Sequence, residues 1–392
     1  MFKMINVKEL KRQYELEPQQ CMADLCEGLE SKELRPENFS MRDLFEALIP
    51  NGRELLYEIQ FRRGRGNRAA ILEAAQAVST GDFSNITGQI VYNKIREAYE
   101  DPSLLWPELC TTQTTEFLNG ERIPGVGQIG DKAEVVEEGA RYPYVGLNEE
   151  WTDTAATIKH GFIVPVTREI IVADRTSLVL SYASKGTRWA SVLKEKEVLD
   201  YATGQKNNYN RNGVSLNTYL TSGAYINSQT GNALDGQANE WRALEKADLL
   251  FDAMTDPNTG EPIGIPANPT ILVPSALVRT ANRIVGATEV QTVDMRAQTT
   301  TIRTTGKNPY SDRQPKVLSN QYVKARTGST SQWFYGDFKA AILWMSVWDI
   351  EATQAASNSE AEFEQDIWAR HKVSYRGVGQ MYEPRKLTKN DT

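Results

Sequence analysis

Apolar and polar positions recur along this chain at two periods, and the longest unbroken pattern runs over residues 166–204, VTREIIVADRTSLVLSYASKGTRWASVLKEKEVLDYATG. No proline interrupts residues 176–203, Asp174 can cap the start, and Ser177 falls in the first turn. Gly204 can end the run in the left-handed conformation that glycine takes freely. The stretch predicts one helix about 42 Å long. Leu178, Tyr182, Trp189 and Leu193 share a face, which predicts that this face lies on a sheet. Arg188, Lys194, Glu195 and Lys196 fall elsewhere on the wheel. Gly186 costs roughly 1 kcal/mol against alanine in a helix, and so marks a bend or a close contact.

Helical periodicity also marks the first hundred residues. Ser40 to Asp43 has the form of a capping box, with Leu44, Phe45 and Leu48 as the apolar face and Pro50-Asn51-Gly52 as the stop. Residues 67–79 are alanine-rich and helix-prone. Residues 83–100 predict a helix capped by Asn85, with Ile90, Val91, Ile95 and Tyr99 as its stripe. Farther on, Trp241, Leu244, Ala247, Leu250 and Met254 share a helical face, and residues 256–260 form a turn. TILVP at 270–274 predicts a buried strand, followed by a helix over 275–285.

The period becomes two after Trp333. Over residues 366–380, Ile367, Ala369, His371, Val373 and Tyr375 alternate with Trp368, Arg370, Lys372, Ser374 and Arg376. This predicts a strand with one basic face, either solvated and salt-bridged or turned to another subunit. Between residues 112 and 160, extended runs at 114–123 and 151–158 flank a centre punctuated by Gly125, Gly127, Gly130, Gly139 and Gly146. Two strands with a long, poorly hydrophobic centre between them are not expected to build a core. The segment is either a disordered loop or a β-arm that finds its partner on another chain.

Length and composition narrow the class. A chain of 392 residues with 40% apolar and 24% charged content is ordinary for a globular protein of two or three domains. Its net charge of −7 gives no global attraction for nucleic acid, so any such contact needs a local patch. One candidate is FRRGRGNR, where Arg62, Arg63, Arg65 and Arg68 either touch phosphate or form a solvated basic loop. Cys21, Cys26 and Cys110 have neither disulfide nor zinc spacing. The opening residues show no apolar signal core, and the longest apolar run, 340–348, is too short to cross a bilayer as a helix. A reducing cytoplasm is the expected compartment.

The candidate chemistry is sparse. Gly125, Gly127 and Gly130 match G-x-G-x-x-G, with Glu149 or Glu150 about twenty residues on, as a nicotinamide-dependent oxidoreductase would require. The sequence after Gly130 is not an amphipathic helix, so a glycine-rich loop is the better reading. His160 and His371 lie on expected strands and read as structural histidines. No catalytic residue, cofactor or metal site is expected.

The order of these parts resembles the major capsid protein of tailed bacteriophages, the Hong Kong 97 type, over roughly residues 83–385. FSNITGQIVYNKIREAY resembles the N-arm, and ERIPGVGQIGDKAEVVEEGARYPYVGLNEEWTDTAATIKHGFIVPVTREIIVADR the E-loop entering the peripheral domain. The long helix resembles the spine helix. NPTILVPSALVRTANRIV, NPYSDRQPKVLSNQYV and WFYGDFKAAILW resemble the axial domain and its return, and FEQDIWARHKVSYRGVGQMYEPR the closing peripheral strand. Residues 1–80 depart from the pattern and read as a retained arm.

The resemblance implies an α+β capsid fold. Its parts are a helical arm over 1–111, an E-loop over 112–161, a peripheral domain with the spine helix over 162–208, an axial domain over 209–332, and peripheral return strands over 333–392. It implies self-assembly into pentamers and hexamers of an icosahedral shell around double-stranded DNA. Portal, scaffold and cement proteins are expected partners, and a membrane is not. An encapsulin-like nanocompartment is the alternative within the same fold. Gly127, Lys132, Trp151, Arg370 and Arg376 are candidate intersubunit contacts; Arg62, Arg63, Arg65 and Arg68 are candidates for DNA or a neighbour. Some capsids of this type join an E-loop lysine to an asparagine three residues after a phenylalanine. Here the phenylalanine is Phe363 and the third residue after it is Asp366, which has no amide to expel. Lys132 is a donor without that acceptor, so fastening is expected to be non-covalent unless Asn358 supplies the amide.

Overall fold

The computed structural model describes residues 7–31, 33–34, 40–49, 51–61, 81–125, 136–139, 141, 150–167, 173, 176–234, 241–256, 260–297, 300–354 and 367–392. Among these, helices and strands mix in an α+β pattern. The helices are α1 (Val7–Leu16), α2 (Pro18–Glu30), α3 (Met41–Leu48), α4 (Gly52–Phe61), α5 (Gly81–Tyr99), α6 (Trp106–Leu109), α7 (Thr176–Ala202), α8 (Arg242–Ala253), α9 (Val278–Gly286), α10 (Gln321–Thr327) and α11 (Phe338–Ala341). The strands are β1 (Thr111–Thr114), β2 (Arg122–Pro124), β3 (Trp151–Asp153), β4 (Ile158–Thr167), β5 (Tyr209–Arg211), β6 (Val214–Leu216), β7 (Ser228–Gln229), β8 (Thr270–Val273), β9 (Glu289–Ala297), β10 (Thr300–Lys307), β11 (Lys316–Ser319), β12 (Trp333–Gly336), β13 (Ile342–Gln354), β14 (Ile367–Met381) and β15 (Leu387–Asn390). The sheets have the orders β1-β13-β14-β4, β10-β9, β11-β8-β12-β15-β7 and β2-β3-β5-β6.

The chain divides into two compact units. The first comprises residues 1–102, 159–192 and 348–376; the second comprises 103–158, 193–347 and 377–392. In the first, one apolar core joins the N-terminal helices to α7 and the strands. Leu25, Leu44, Phe45, Leu48, Ile90, Val91 and Ile95 are buried together with Val164, Val179, Leu180 and Val373. Each such side chain contributes roughly 1.5–3 kcal/mol on burial. The capping expectation at α3 holds, since Asp43 N donates to Ser40 Oγ at 3.3 Å. Met41 N donates to Thr176 Oγ1 at 2.7 Å, so the start of α3 also engages the first residue of α7. Asn85 is not a cap: α5 begins at Gly81, four residues earlier.

The second unit is built around a five-stranded sheet in which β8 and β11 run parallel, joined through α9. TILVP is the buried strand expected, and its helix starts at Val278 rather than at 275. Strand β15, four residues long, runs between β12 and β7. Helix α10 is not among the elements expected from the sequence. Asn320 caps it and Gly328 closes it at φ +68°.

Two expectations about extended structure are corrected. The run 114–123 is a strand only at its ends, because Gly120 turns the chain at φ +89°. The run 151–158 is a strand over Trp151–Asp153 and opens before β4.

The long helix corrects a third. It ends at Ala202, and Gly204 has φ +71° as expected. Its buried side is not the predicted stripe, however. Val179, Ala183, Thr187, Ala190 and Ser191 are buried, whereas Tyr182 and Trp189 are 56% and 59% exposed. Small residues line the inner side because a strand approaches closely: a Cβ on Gly186 would stand 2.7 Å from the Phe162 ring. Lys194 and Glu195, expected on the polar side, are buried as well. The proposed cap Asp174 lies outside the described residues.

Candidate functional site

The glycine-rich loop leaves and re-enters the fold at one small sheet within the second unit. Strand β2 pairs antiparallel with β3 in the register Arg122↔Asp153, Ile123↔Thr152 and Pro124↔Trp151. Strand β3 meets β5 at Thr152↔Arg211, and β5 turns into β6 through Asn212 and Gly213 at φ +50° and +80°. Positive φ at both central residues is the hairpin geometry that Asn-Gly favours. That dipeptide, Asn212-Gly213, was the sequence signal for this hairpin, which is not among the elements expected from the sequence.

The stem is closed by specific contacts. Gly125 N donates to Glu150 O at 2.8 Å. A Cβ on Gly125 would lie 2.5 Å from Glu150 Cγ, so glycine is needed where the two limbs meet. Glu150 forms an ion pair with Arg211. Arg122 pairs with Asp153 at 3.1 Å and stacks 5.0 Å from the Trp151 ring. Trp151 N donates to Asn212 Oδ1 at 3.0 Å, and Tyr382 Oη donates to Pro124 O at 2.7 Å. Trp151 is therefore half-buried and engaged by its own chain. Gly127 and Lys132 lie outside the described residues, as do Glu149 and the two later glycines of the G-x-G-x-x-G match.

Below the stem, the loop root is equally fixed. Glu121 N donates to Thr154 Oγ1 at 2.7 Å, and Thr154 N donates to Glu121 O at 2.9 Å. Thr157 N and its Oγ1 both reach Leu118 O, at 3.0 and 3.1 Å. This braced root nevertheless displays Phe117 (59% exposed), Leu118 (44%) and Ile158 (52%).

The basic strand face lies in the first unit. Arg370 and Arg376 on β14 are half-buried and Lys372 is exposed, with Ser374 buried between them. Arg376 and Lys159 stand 5.9 and 5.8 Å from the Trp348 ring. Arg62, Arg63, Arg65 and Arg68 lie outside the described residues, as do Asn358, Phe363 and Asp366.

The buried titratable groups are built for structure. Lys194 Nζ sits 3.5 Å from the Trp106 ring centroid and 4.7 Å from that of Trp344. Glu195 accepts from Leu105 N at 2.9 Å, Trp106 N at 2.6 Å and Asn320 Nδ2 at 2.9 Å. Burial raises the Glu195 carboxyl, against the opposing pull of those donors. Burial likewise pushes the Cys110 thiol up to about 12. His371 is buried and held neutral, lowered to about 4 by burial, and its Nε2 has no hydrogen-bond partner. His160 stacks on Tyr375 at 5.2 Å. Among the described residues, no cluster of three metal-ligating side chains occurs, and no helix is long and apolar enough to cross a membrane.

No curated protein matches. Among solved structures, the capsid of cyanophage P-SCSP1u is 10% identical, covers 74% of this chain and 88% of its own, and has a TM-score of 0.45. Mycobacterium phage Bobi is 13% identical over 74% of this chain and 90% of its own, with a TM-score of 0.45. A virus-like particle from Pyrococcus furiosus is 9% identical over 77% and 98%, with a TM-score of 0.41. The sequence pattern of one family, described as phage capsid protein, matches residues 150–390, which take in β3, the long helix, the five-stranded sheet and the closing strand β14. With more than half its length matched there, the chain belongs to the phage capsid protein family.

Proposed function

We propose that this major capsid protein builds a closed head shell from many copies of itself, and that the excursion between Gly125 and Glu150 is its fastening loop onto a neighbouring copy. The observation that carries the reading is the stem. A loop that begins and ends at one Gly125–Glu150 hydrogen bond, on a sheet locked by the β5–β6 hairpin, is held firmly at its base by its own chain. Its sequence between those residues is broken by Gly127, Gly130, Gly139, Pro143 and Gly146, so it gains more by lying on another subunit than by folding on itself. Closed shells need several distinct contacts per chain, and such arms supply them.

The shell belongs to the virion head and is assembled in the host cytoplasm. The division proposed for the chain follows from this: an arm over 1–111, the loop over 112–161, peripheral segments over 162–208 and 333–392, and an axial domain over 209–332. Double-stranded DNA is the enclosed cargo, and portal, scaffold and cement proteins are its other partners. The family match favours a phage shell over an encapsulin-like compartment. Particles purified with DNA inside bear this out, and particles holding an enzyme instead refute it.

Replacing residues 126–149 by a short turn tests the loop. The stem contacts are retained, so the subunit stays folded, and shells of megadalton size give way to small species on size-exclusion chromatography. Normal particles from that variant refute the reading. Because Asp366 lacks an amide, heads boiled in detergent and reductant run as one band near 44.0 kDa, and a surviving ladder of oligomers shows covalent fastening.

A further inference from the structure

One sheet of the second unit is only two strands wide. Strands β9 and β10 follow α9 and pair antiparallel, from Lys307↔Glu289 to Thr300↔Ala297, with one irregularity between Thr300 and Thr301. Their eight paired positions make a ribbon about 27 Å long at about 3.4 Å per residue. A two-stranded ribbon is marginally stable by itself in water. Among the described residues no third strand joins either side, so the outer edges of β9 and β10 carry backbone N–H and C=O groups with no ladder partner. Residues 289–307 hold no proline, so each edge can donate along its length. The base of the ribbon, by contrast, is fixed. Asn308 is fully buried; its N donates to Thr288 O at 2.9 Å, and its Nδ2 donates to Ile284 O and Ala287 O at 2.7 and 2.8 Å. Its Oδ1 accepts from Tyr310 N at 3.1 Å, and the Tyr310 hydroxyl donates to buried Asp248 at 2.9 Å. One side chain thus ties the end of α9 to the returning limb of the ribbon.

We infer that this ribbon is completed by the ribbons of other copies: β10 of one subunit pairs with β9 of the next, and the pairs close into a β-barrel within each ring of subunits. The inference rests on the shell reading above and adds a backbone contact to it. A single foreign strand would cover one edge and leave the other open. A ring of copies covers both, because every ribbon offers one β9 edge and one β10 edge, a head-to-tail contact of the kind that closes by rotation. With the strands running along the rotation axis, every β9 points the same way, so the β10 that meets it runs antiparallel. The sheet then continues in the alternation that the ribbon already has. Five copies close ten strands and six close twelve, and closure removes the open edges altogether. Charge selects this pairing over like with like. Strand β9 carries Glu289, Asp294 and Arg296, a net charge of −1; β10 carries Arg303 and Lys307, a net charge of +2. Lys307 is held by Asp312 at 2.6 Å at the base, so Arg303, opposite Val293 in the register, is the cation farther along β10. Two β10 edges would set cations side by side and two β9 edges would bring carboxylates together, whereas β9 against β10 sets opposite charges together.

Two chains test the pairing. One carries Thr292→Cys on β9, the other Thr304→Cys on β10; they are mixed, assembled into particles and treated with a short bismaleimide. The two positions lie opposite each other within a ribbon, and the linker also spans an offset of about two residues, roughly 7 Å, between ribbons. Mixed particles give a covalent dimer on denaturing gels, about tenfold or more above particles of either chain alone. Native particles control for Cys26, the half-buried one of the three native cysteines. A β9 chain that links to itself, mixed particles with no dimer above the native background, or linkage only to a different protein overturns the pairing. The second variant replaces residues 291–305 by Asn-Gly, a dipeptide suited to a two-residue hairpin between Val290 and Gly306, which already pair. The base at Asn308 is untouched, so the free subunit melts as the native one does, while the yield of closed particles falls about tenfold or more. Normal particles from this variant also overturn the pairing. In each of these outcomes the native chain still assembles and the shell reading stands; a native chain that forms no particles defeats the shell reading itself.

Discussion

The two compact units close their interiors in different ways. Among the described residues, every buried Asp, Glu, Lys and Arg lies in the second unit: Lys194, Glu195, Asp200, Asp248, Asp256, Glu383 and Arg385. Among the described residues, the first unit buries His371 but no Asp, Glu, Lys or Arg, and its core packs mainly leucine, isoleucine, valine and phenylalanine from amphipathic helices against strands. The cause is in the local sequence. Helices α3 and α5 carry clean apolar stripes, so burial alone closes the first unit. Residues 205–237 of the second are rich in Asn, Gly, Ser and Thr, and their backbone groups must be answered by side chains once buried. Asn227 does this work, donating to Thr218 O, Pro384 O and Leu387 O and accepting from Leu220 N. Asp248 likewise accepts from Tyr310 and Tyr335. A generic apolar core tolerates change of shape; a satisfied polar one does not.

The largest expected effect strikes the second unit's ion cluster. Arg385 donates to Glu383 at 2.6 and 2.7 Å and lies 3.7 Å from Asp256, all three buried. Burial disfavours the guanidinium charge, yet the hydrogen bond and charge of Glu383 outweigh it and hold the group protonated. Arg385→Met strands two carboxylates and costs about 3–5 kcal/mol in urea unfolding of the free subunit. A loss below about 1 kcal/mol would erase the contrast between the units.

Next in size is the histidine in the first unit's interior. His371 is lowered from 6.5 to about 4, so between those values the unfolded chain binds a proton that the folded chain refuses. Stability is therefore full above about pH 6.5 and falls as pH drops toward 4, by about 3 kcal/mol in all at 1.36 kcal/mol per unit, and no further below that. His371→Leu removes this component. The difference between native and variant stability, measured from pH 7 to pH 4, shrinks or reverses by that amount; parallel curves would mean that the histidine is not the titrating group.

The smallest effects sharpen the comparison at matched volume. Leu44→Met in the first unit costs less than about 1.5 kcal/mol, because shape is adjustable there. Asn227→Leu in the second costs more, about 2–3 kcal/mol, since it removes the side-chain partner of several buried backbone groups. Equal melting temperatures for the two variants would contradict the distinction. Ser40→Ala, which removes the α3 cap, costs about 1 kcal/mol.

Local rules in the sequence determined much of this. The cap at Ser40, the stop at Gly204, the buried TILVP strand and the alternation through His371, Val373 and Tyr375 are each set by a few neighbouring residues, and each is found. The capsid resemblance came from the order of such pieces. What the sequence could not determine is which side of α7 faces inward. Period alone put Tyr182 and Trp189 inside, because large apolar residues outweigh small ones on a helical wheel. The tertiary structure chose the side of Gly186, Ala183 and Thr187, because only small side chains let the Phe162 strand come so close. It also buried Lys194 and Glu195, whose partners Trp106, Trp344 and Asn320 stand 88, 150 and 125 residues away in sequence. A charged residue reads as exposed until the groups that satisfy it are brought together, and only the folded chain brings them together.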